Sequence, residues 1–251
     1  MKVIILGSGT SFGIPMIGCK CAVCTSTNPK NRRTRPSALF QTGSRNILVD
    51  TAVDLRLQLI AADVAHVDAV LYTHAHADHL HGFDDLRAIS RKGAVPIYAD
   101  AKTVEIIRRS FSYVFEGGEQ PSEVPKATLH VIDGPFDLFG EHVWPIDLLH
   151  GKLPVLGYRI HDVAYLTDCS AIPDASLRML GNLDVLVLDA VRFRPHPTHF
   201  SVDEALEVIS ILKPKRAFLT HLCHDIDHDT VSAMLPAGVE LAWDGLTIEA
   251  K

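Results

Sequence analysis

The sequence predicts an α/β fold of two mixed β-sheets with helices packed outside them, and three observations carry that expectation. Short strand-like runs outnumber helical stretches, several of the runs are joined as hairpins, and no segment repeats at a fixed period. A single doubly wound parallel sheet would instead alternate strands with helices. At 251 residues, 47% hydrophobic and 22% charged, the chain can bury one full-sized core, so one domain over residues 1–251 is expected.

In chain order, residues 3–6 read as a buried strand that turns at Gly7. Residues 38–41 and 46–50 flank Gly43-Ser44 as a hairpin, and a helix fits 54–61. The apolar run 69–72 is a strand that ends on a histidine cluster. Helices fit 84–92, stopped by Gly93, and 102–115. Segment 111–137 has few periodic features and several Gly, Pro and Glu residues, which reads as a mobile loop or lid. Strand 143–149 follows, then a second hairpin of 155–160 and 163–167 around His161-Asp162. A helix over 174–180 and a strand over 185–188 precede a helix over 201–212, where Ser201 and Glu204 have capping-box spacing. Strand 217–219 and helix 230–234 come next, and 240–242 is expected to pair with 246–249 across Asp244-Gly245.

Net charge is −6 with no basic tract, which argues against an extended nucleic-acid surface. A small anionic substrate remains compatible, because a metal site supplies positive charge that residue counting misses. The longest apolar runs are strand-sized, so no membrane span is expected. Residues 1–6 lack the extended apolar region of a signal peptide, and a cytoplasmic location is the default expectation. The unusual number is 14 histidines, several of them clustered.

Tyr72-Thr73-His74-Ala75-His76-Ala77-Asp78-His79 is the informative segment. In an extended stretch, residues two apart point the same way, so His74 and His76 can grip one ion. Asp78 and His79 follow as the chain turns and can face a second position. Neutral imidazoles with a carboxylate suit zinc, manganese or iron. A second cluster, Cys19-Lys20-Cys21-Ala22-Val23-Cys24, offers three thiolates for a closed tetrahedral site, with His224 or Cys223 as the fourth ligand. Cys169 stands alone and reads as a small core residue.

The H-x-H-x-D-H segment resembles the signature of the metallo-β-lactamase superfamily, which implies a four-layer αβ/βα sandwich with a metal site at one edge. That family's further ligands come singly at the ends of later strands, and His150, Asp168 and His221 stand in that order here. The resemblance implies that His74, His76 and His150 hold one metal, that Asp78, His79 and His221 hold the other, and that Asp168 bridges them. It also implies that Asp50 orients a ligand histidine without touching metal.

With the cysteine segment, His221-x-x-His224, the Gly7–Gly13 loop, Gly82-Phe83-Asp84-Asp85-Leu86-Arg87 and Trp243-Asp244-Gly245, the chain resembles the PhnP type over nearly its whole length. Those are cyclic phosphodiesterases that open 5-phosphoribosyl 1,2-cyclic phosphate. The implied cofactors are two divalent ions, manganese or zinc, and one structural zinc on Cys19, Cys21, Cys24 and His224. His199 resembles the histidine proposed to protonate the leaving oxygen in that type. Arg192 and Arg194 lie on the same loop and are candidates for a second anionic group, with Arg87 and residues 32–35 as others. His81 and His196 take no ligand role in this reading. The loop Gly7-Ser8-Gly9-Thr10-Ser11-Phe12-Gly13 lacks dinucleotide-fingerprint spacing, and close approach of its backbone to substrate would account for its glycines.

The partner expected is therefore a small phosphate-ester substrate, and a homodimer is compatible with the sequence. Two other readings stand beside it. The same frame supports thioester, lactone or other ester hydrolysis, and the pyrroloquinoline-quinone biosynthesis relatives share the cysteine segment with a degenerate metal motif.

Overall fold

The computed structural model describes residues 1–116 and 123–250. Among the described residues, fourteen strands run in chain order: β1 (Lys2–Gly7), β2 (Ser37–Thr42), β3 (Arg45–Val49), β4 (Ala69–Leu71), β5 (Val95–Ala99), β6 (Ala127–Val131), β7 (Phe136–Leu138), β8 (Glu141–His150), β9 (Leu153–Ile160), β10 (Val163–Leu166), β11 (Val185–Asp189), β12 (Arg216–Thr220), β13 (Val239–Leu241) and β14 (Thr247–Glu249). They form two seven-stranded sheets, ordered β14-β1-β2-β3-β4-β5-β6 and β13-β12-β11-β10-β9-β8-β7. Each sheet is mixed. β14, β1, β2 and β3 are antiparallel neighbours, whereas β3 to β6 run parallel. In the second sheet β7 to β10 are antiparallel and β10 to β13 parallel.

Strand alternation builds the layers. Val185 and Val187 point into the core shared by both sheets, with Phe40, Leu71 and Tyr158. Leu186 and Leu188, one residue out of phase, point to the outer face with Val202 and Ala205. A strand buried on both faces reads as a continuous apolar run, which is why residues 185–188 were legible as one. The first sheet does the same, with Leu48 and Val70 meeting Leu55, Leu59, Val104 and Ile107 outside. Helices on both outer faces complete the four-layer αβ/βα sandwich.

Among the described residues, eight short α-helices serve as these covers and as connectors: α1 (Leu55–Ala61), α2 (Ala77–Leu80), α3 (Leu86–Ile89), α4 (Ala101–Ser110), α5 (Ser112–Phe115), α6 (Asp174–Met179), α7 (Val202–Leu212) and α8 (His228–Ser232). The capping box is present: the Ser201 hydroxyl accepts from the Glu204 N–H, and the Glu204 carboxylate accepts from the Ser201 N–H. Expected helices over 84–92 and 102–115 are both interrupted. The first is α3 between two 3₁₀ turns. The second breaks at Phe111, whose ring stacks on Phe83 with centroids 4.5 Å apart, holding that residue at φ −120°. Segment 111–137 is not one loop: it contains α5, β6 and the start of β7, and its residues 117–122 lie outside the described residues.

The expected hairpin across Asp244-Gly245 does not form. β13 pairs with β12 in one sheet, and β14 pairs with β1 in the other, so this turn crosses between sheets. Asp244 makes the crossing possible. Its carboxylate accepts from the Ser8 N–H and hydroxyl at 2.9 and 2.8 Å, and from the Thr34 N–H and hydroxyl at 2.7 and 2.6 Å. Burial raises its carboxyl, an effect that these donors only partly offset. Asp244→Ala would leave at least two backbone donors without a partner, and we expect unfolding free energy to fall by roughly 2–5 kcal/mol. Urea denaturation measures this, and a change under about 0.5 kcal/mol would contradict the assigned role.

Candidate active site

Parallel strands end on the same edge of each sheet, and side chains just past their carboxyl ends gather there. Asp50 follows β3, Thr73 and His74 follow β4, Asp168 follows β10, Asp189 ends β11, and His221 follows β12. Asp50, Asp168 and His221 adopt positive φ of 62°, 51° and 60°. Such a backbone costs a non-glycine residue about 1–3 kcal/mol, and clustering of the three at one edge marks a site the surrounding structure enforces.

The structure brings all seven expected ligand residues together. The ligand atoms of His74, His76, His150 and Asp168 lie within 4.8 Å of one another, and so do those of Asp78, His79, Asp168 and His221. Asp168 belongs to both groups, and its two oxygens divide between them. Oδ2 lies 3.7 Å from His74 Nε2 and 4.0 Å from His150 Nε2, whereas Oδ1 lies 3.1 Å from both His79 Nε2 and His221 Nε2. The Nε2 atoms of His74, His79 and His221 are buried without hydrogen-bond partners, and such orphaned acceptors around a carboxylate fit a divalent cation.

Neighbouring residues select which nitrogen faces inward. Asp50 Oδ2 accepts from His79 Nδ1 at 2.7 Å and from the Thr73 hydroxyl at 2.8 Å. Thr73 Oγ1 in turn accepts from His74 Nδ1 at 3.0 Å. One buried carboxylate thereby sets the tautomer of a histidine in each group, leaving Nε2 of both rings free. Asp50 was expected to orient one histidine; it orients two, the second through Thr73. His150 Nδ1 donates to the Thr198 carbonyl at 2.7 Å with the same consequence.

The charges reflect mutual dependence. Burial would raise the Asp168 carboxyl, but His221, His79 and His74 hold it well below the usual carboxylate range. Burial keeps the His74 imidazole well below its ordinary value. Burial also opposes protonation of His221, yet Asp168, Asp78 and Asp189 raise it to about 9. In a cation-free chain, protons would do the neutralising that a metal does in a loaded one.

His199 lies beside this cluster, 4.6 Å between ring centroids from both His150 and His221. Its Nδ1 donates to Asp189 Oδ2 at 2.9 Å. Asp189 is fully buried, also accepts from the Cys169 N–H at 2.9 Å, and has Oδ1 3.8 Å from His221 Nδ1. Sequence reasoning missed Asp189. The strand-exit pattern that found Asp168 and His221 would have found it, had strand 185–188 been extended by one residue.

The cysteine cluster is also assembled. The ligand atoms of Cys19, Cys21, Cys24 and His224 lie within 4.8 Å of one another, and Cys19 Sγ is 3.2 Å from His224 Nδ1. Cys223 is not in the group; its sulfur accepts from the Asp225 N–H. The Met16 N–H donates to Cys24 Sγ at 3.3 Å and the Cys24 N–H to Cys21 Sγ at 3.4 Å, a pattern that supports thiolates. The Cys24 amide chiefly holds the Cys21 thiol down at about 6, whereas burial pushes Cys24 up to about 11. His221 and His224 sit on one loop, clamped by fully buried Arg33, which donates to the Cys223 and Ile226 carbonyls at 3.0 and 2.8 Å.

Arg33 is therefore internal structure, not a substrate contact. Arg35 pairs with Asp54 and Arg87 with Asp84. Arg192 and Arg194 do line a cleft of about 230 Å³ with His199 and His221. Among the described residues, His81 and His196 join neither ligand group. Thr10, Ser11 and Phe12 border the same cleft, but Gly7 and Gly9 serve a different need. A Cβ on Gly7 would sit 1.9 Å from the Arg35 carbonyl oxygen, and one on Gly9 would sit 2.9 Å from Arg33 Cβ. These glycines admit the chain's own 33–35 segment, not a substrate.

Among the described residues, no helix is long and apolar enough to cross a membrane. Cys21→Ser removes one corner of the cysteine group, and we expect lower folded yield and loss of one metal ion per chain before any change in catalytic chemistry. Elemental analysis of purified protein checks this; a stable variant with unchanged metal content would contradict it.

The family model described as the β-lactamase superfamily domain matches residues 45–222. A solved structure described as a new diphosphatase from the PhnP family is 42% identical, with TM-score 0.93, covering 100% of this chain and 98% of that one. Coenzyme PQQ synthesis protein B of Methylobacterium radiotolerans is 33% identical over 75% of this chain and 72% of its own length. An octanoyltransferase of Porphyromonas gingivalis is 36% identical over 98% of this chain, which spans 51% of that relative's length. The His/Asp cluster at the sheet edges fits the divalent metal ions that this fold implies, and the chain belongs to the metallo-β-lactamase superfamily, in the branch that includes the PhnP family.

Proposed function

We propose that the chain is a dinuclear metal-dependent phosphodiesterase acting on a small cyclic or nucleotide-like phosphate ester, with 5-phosphoribosyl 1,2-cyclic phosphate the leading candidate. The observation that carries this reading is His199, buried between His150 and His221 with Nδ1 tied to Asp189 and Nε2 left to hold a proton. A phosphodiester has a leaving alkoxide that must be protonated; a thioester, whose thiolate leaves readily, has less need of such an acid. The likeness to a PhnP-family diphosphatase supports the same conclusion.

In this reading His74, His76, His150 and Asp168 hold one ion, and Asp78, His79, His221 and Asp168 hold the other. Two ions of manganese or zinc, when bound, supply the Lewis acidity that makes water nucleophilic near neutral pH and offsets charge on the phosphoryl oxygens. The remaining work belongs to the chain. Asp189 accepts from His199 Nδ1 and fixes the ring, so Nε2 is the nitrogen that would hand a proton to the leaving oxygen. Arg192 and Arg194 are proposed to meet a second anionic group in the cleft. Zinc is assigned to Cys19, Cys21, Cys24 and His224, a closed site that fastens the N-terminal loop to the His221 loop.

A second reading is hydrolysis of another ester or thioester, or a non-catalytic role in cofactor synthesis. The relatives named for octanoyl transfer and PQQ synthesis support it. The intact ligand set with His199 in place favours the phosphodiesterase.

Purified protein supplied with manganese should hydrolyse bis(p-nitrophenyl) phosphate, and no turnover with both ions bound would sink the proposal. His199→Ala should slow alkyl phosphodiesters by about 10²–10⁴ while affecting nitrophenyl esters far less. Equal loss on both substrates would remove the acid role.

A further inference from the structure

We propose that the cleft beside His199 is a nucleobase subsite with Phe12 as its stacking platform, so that the substrate's leaving group carries a planar heteroaromatic ring. This deepens the phosphodiesterase reading and rests on it for the word "leaving"; within that reading it selects the nucleotide-like ester over 5-phosphoribosyl 1,2-cyclic phosphate, which carries no base. The cleft of about 230 Å³ is lined by His199 and His221 but not by His74, His76 or His150. It therefore opens on one side of the metal cluster, the side of the candidate acid. A group seated there is attached to the oxygen that His199 would protonate.

The walls suit a flat ring. Phe12 is 67% exposed, although a large aromatic side chain usually gains from burial. Its exposure is not a product of a loose loop. The Gly13 N–H donates to the Thr10 carbonyl at 2.8 Å, closing a turn with Phe12 at its tip, and the Ser11 carbonyl accepts from Arg35 Nε at 3.2 Å. A braced backbone thus places a largely exposed aromatic ring at a cleft that buried Ile14 and Val191 also line. Aromatic faces of this kind stack bases without regard to their hydrogen-bond pattern.

The two arginines differ. Arg194 is paired with Asp225 at 3.1 Å. Arg192 donates to the carbonyls of Arg194 and Pro195, and it has no carboxylate partner among the described residues. Its charge is uncompensated, and a planar guanidinium both stacks on bases and binds phosphate. The volume lies below the roughly 300–1,000 Å³ of ordinary ligand pockets and leaves room for about one nucleoside.

The test compares ligands that differ only by the base. Isothermal titration of the metal-loaded protein with adenosine 5′-monophosphate and with ribose 5-phosphate should show the nucleotide binding about 10-fold tighter or more. In Phe12→Ala that affinity ratio should fall to about one, and Phe12→Tyr should restore it. Equal affinities in the unaltered protein, or a ratio unchanged in Phe12→Ala, would overturn the subsite. Hydrolysis of adenosine 2′,3′-cyclic phosphate and of 1-O-methylribose 2,3-cyclic phosphate separates the two levels. Both esters cleaved at equal kcat/KM would sink the subsite and keep the phosphodiesterase. Selective binding of the nucleotide with no turnover of either ester would support the subsite and sink the phosphodiesterase.

Discussion

The architecture turns on one carboxylate. Asp168 is buried between four imidazoles, with Oδ1 turned to His79 and His221 and Oδ2 turned to His74 and His150. A buried carboxylate and a ring of orphaned nitrogens are costly in a chain that must fold without compensation. They are tolerated where a cation of fixed geometry satisfies them together. The left-handed backbone at Asp168 and His221 adds strain to the same edge, and the two packed sheets hold it there.

Support for that carboxylate comes in a second layer of contacts. Asp50 reaches His79 directly and His74 through Thr73, so one residue after β3 aligns a ligand on each side of Asp168. Asp189 does the corresponding work across the site, fixing His199 and lying near His221. The Thr198 carbonyl turns His150 and is the neighbour of His199, so the ligand and the candidate acid are set by adjacent residues. Beyond them, Arg33 holds the loop from His221 to Ile226, and the cysteine group anchors its middle at His224. The cysteine group is thus placed to steady the active site without taking part in its chemistry.

Much of this was legible because the chemistry is local in sequence. His74 to His79 lie within one turn of chain, and Cys19 to Cys24 likewise, so spacing alone exposed both clusters. His150, Asp168 and His221 were legible only through the superfamily resemblance, since a lone polar residue at a strand end carries no chemistry by itself. What failed was non-local. Asp244-Gly245 has hairpin composition, but four hydrogen bonds from Ser8 and Thr34 draw it into a crossing between sheets. The break at Phe111 answers to Phe83, which lies far back in the chain. Gly7 and Gly9 were read toward a substrate, whereas they accommodate residues 33–35. In each case the deciding partner is remote, and no window of sequence contains it.

Asp168 is proposed to serve two metal positions at once. Elemental analysis of metal-saturated protein, before and after Asp168→Ala, tests it most directly. The account predicts that the unaltered chain holds two ions at the His/Asp cluster and one at the cysteine group. It predicts that Asp168→Ala, still folded by circular dichroism, loses both ions of the cluster and keeps the third. Loss of a single ion, or full retention, would contradict it.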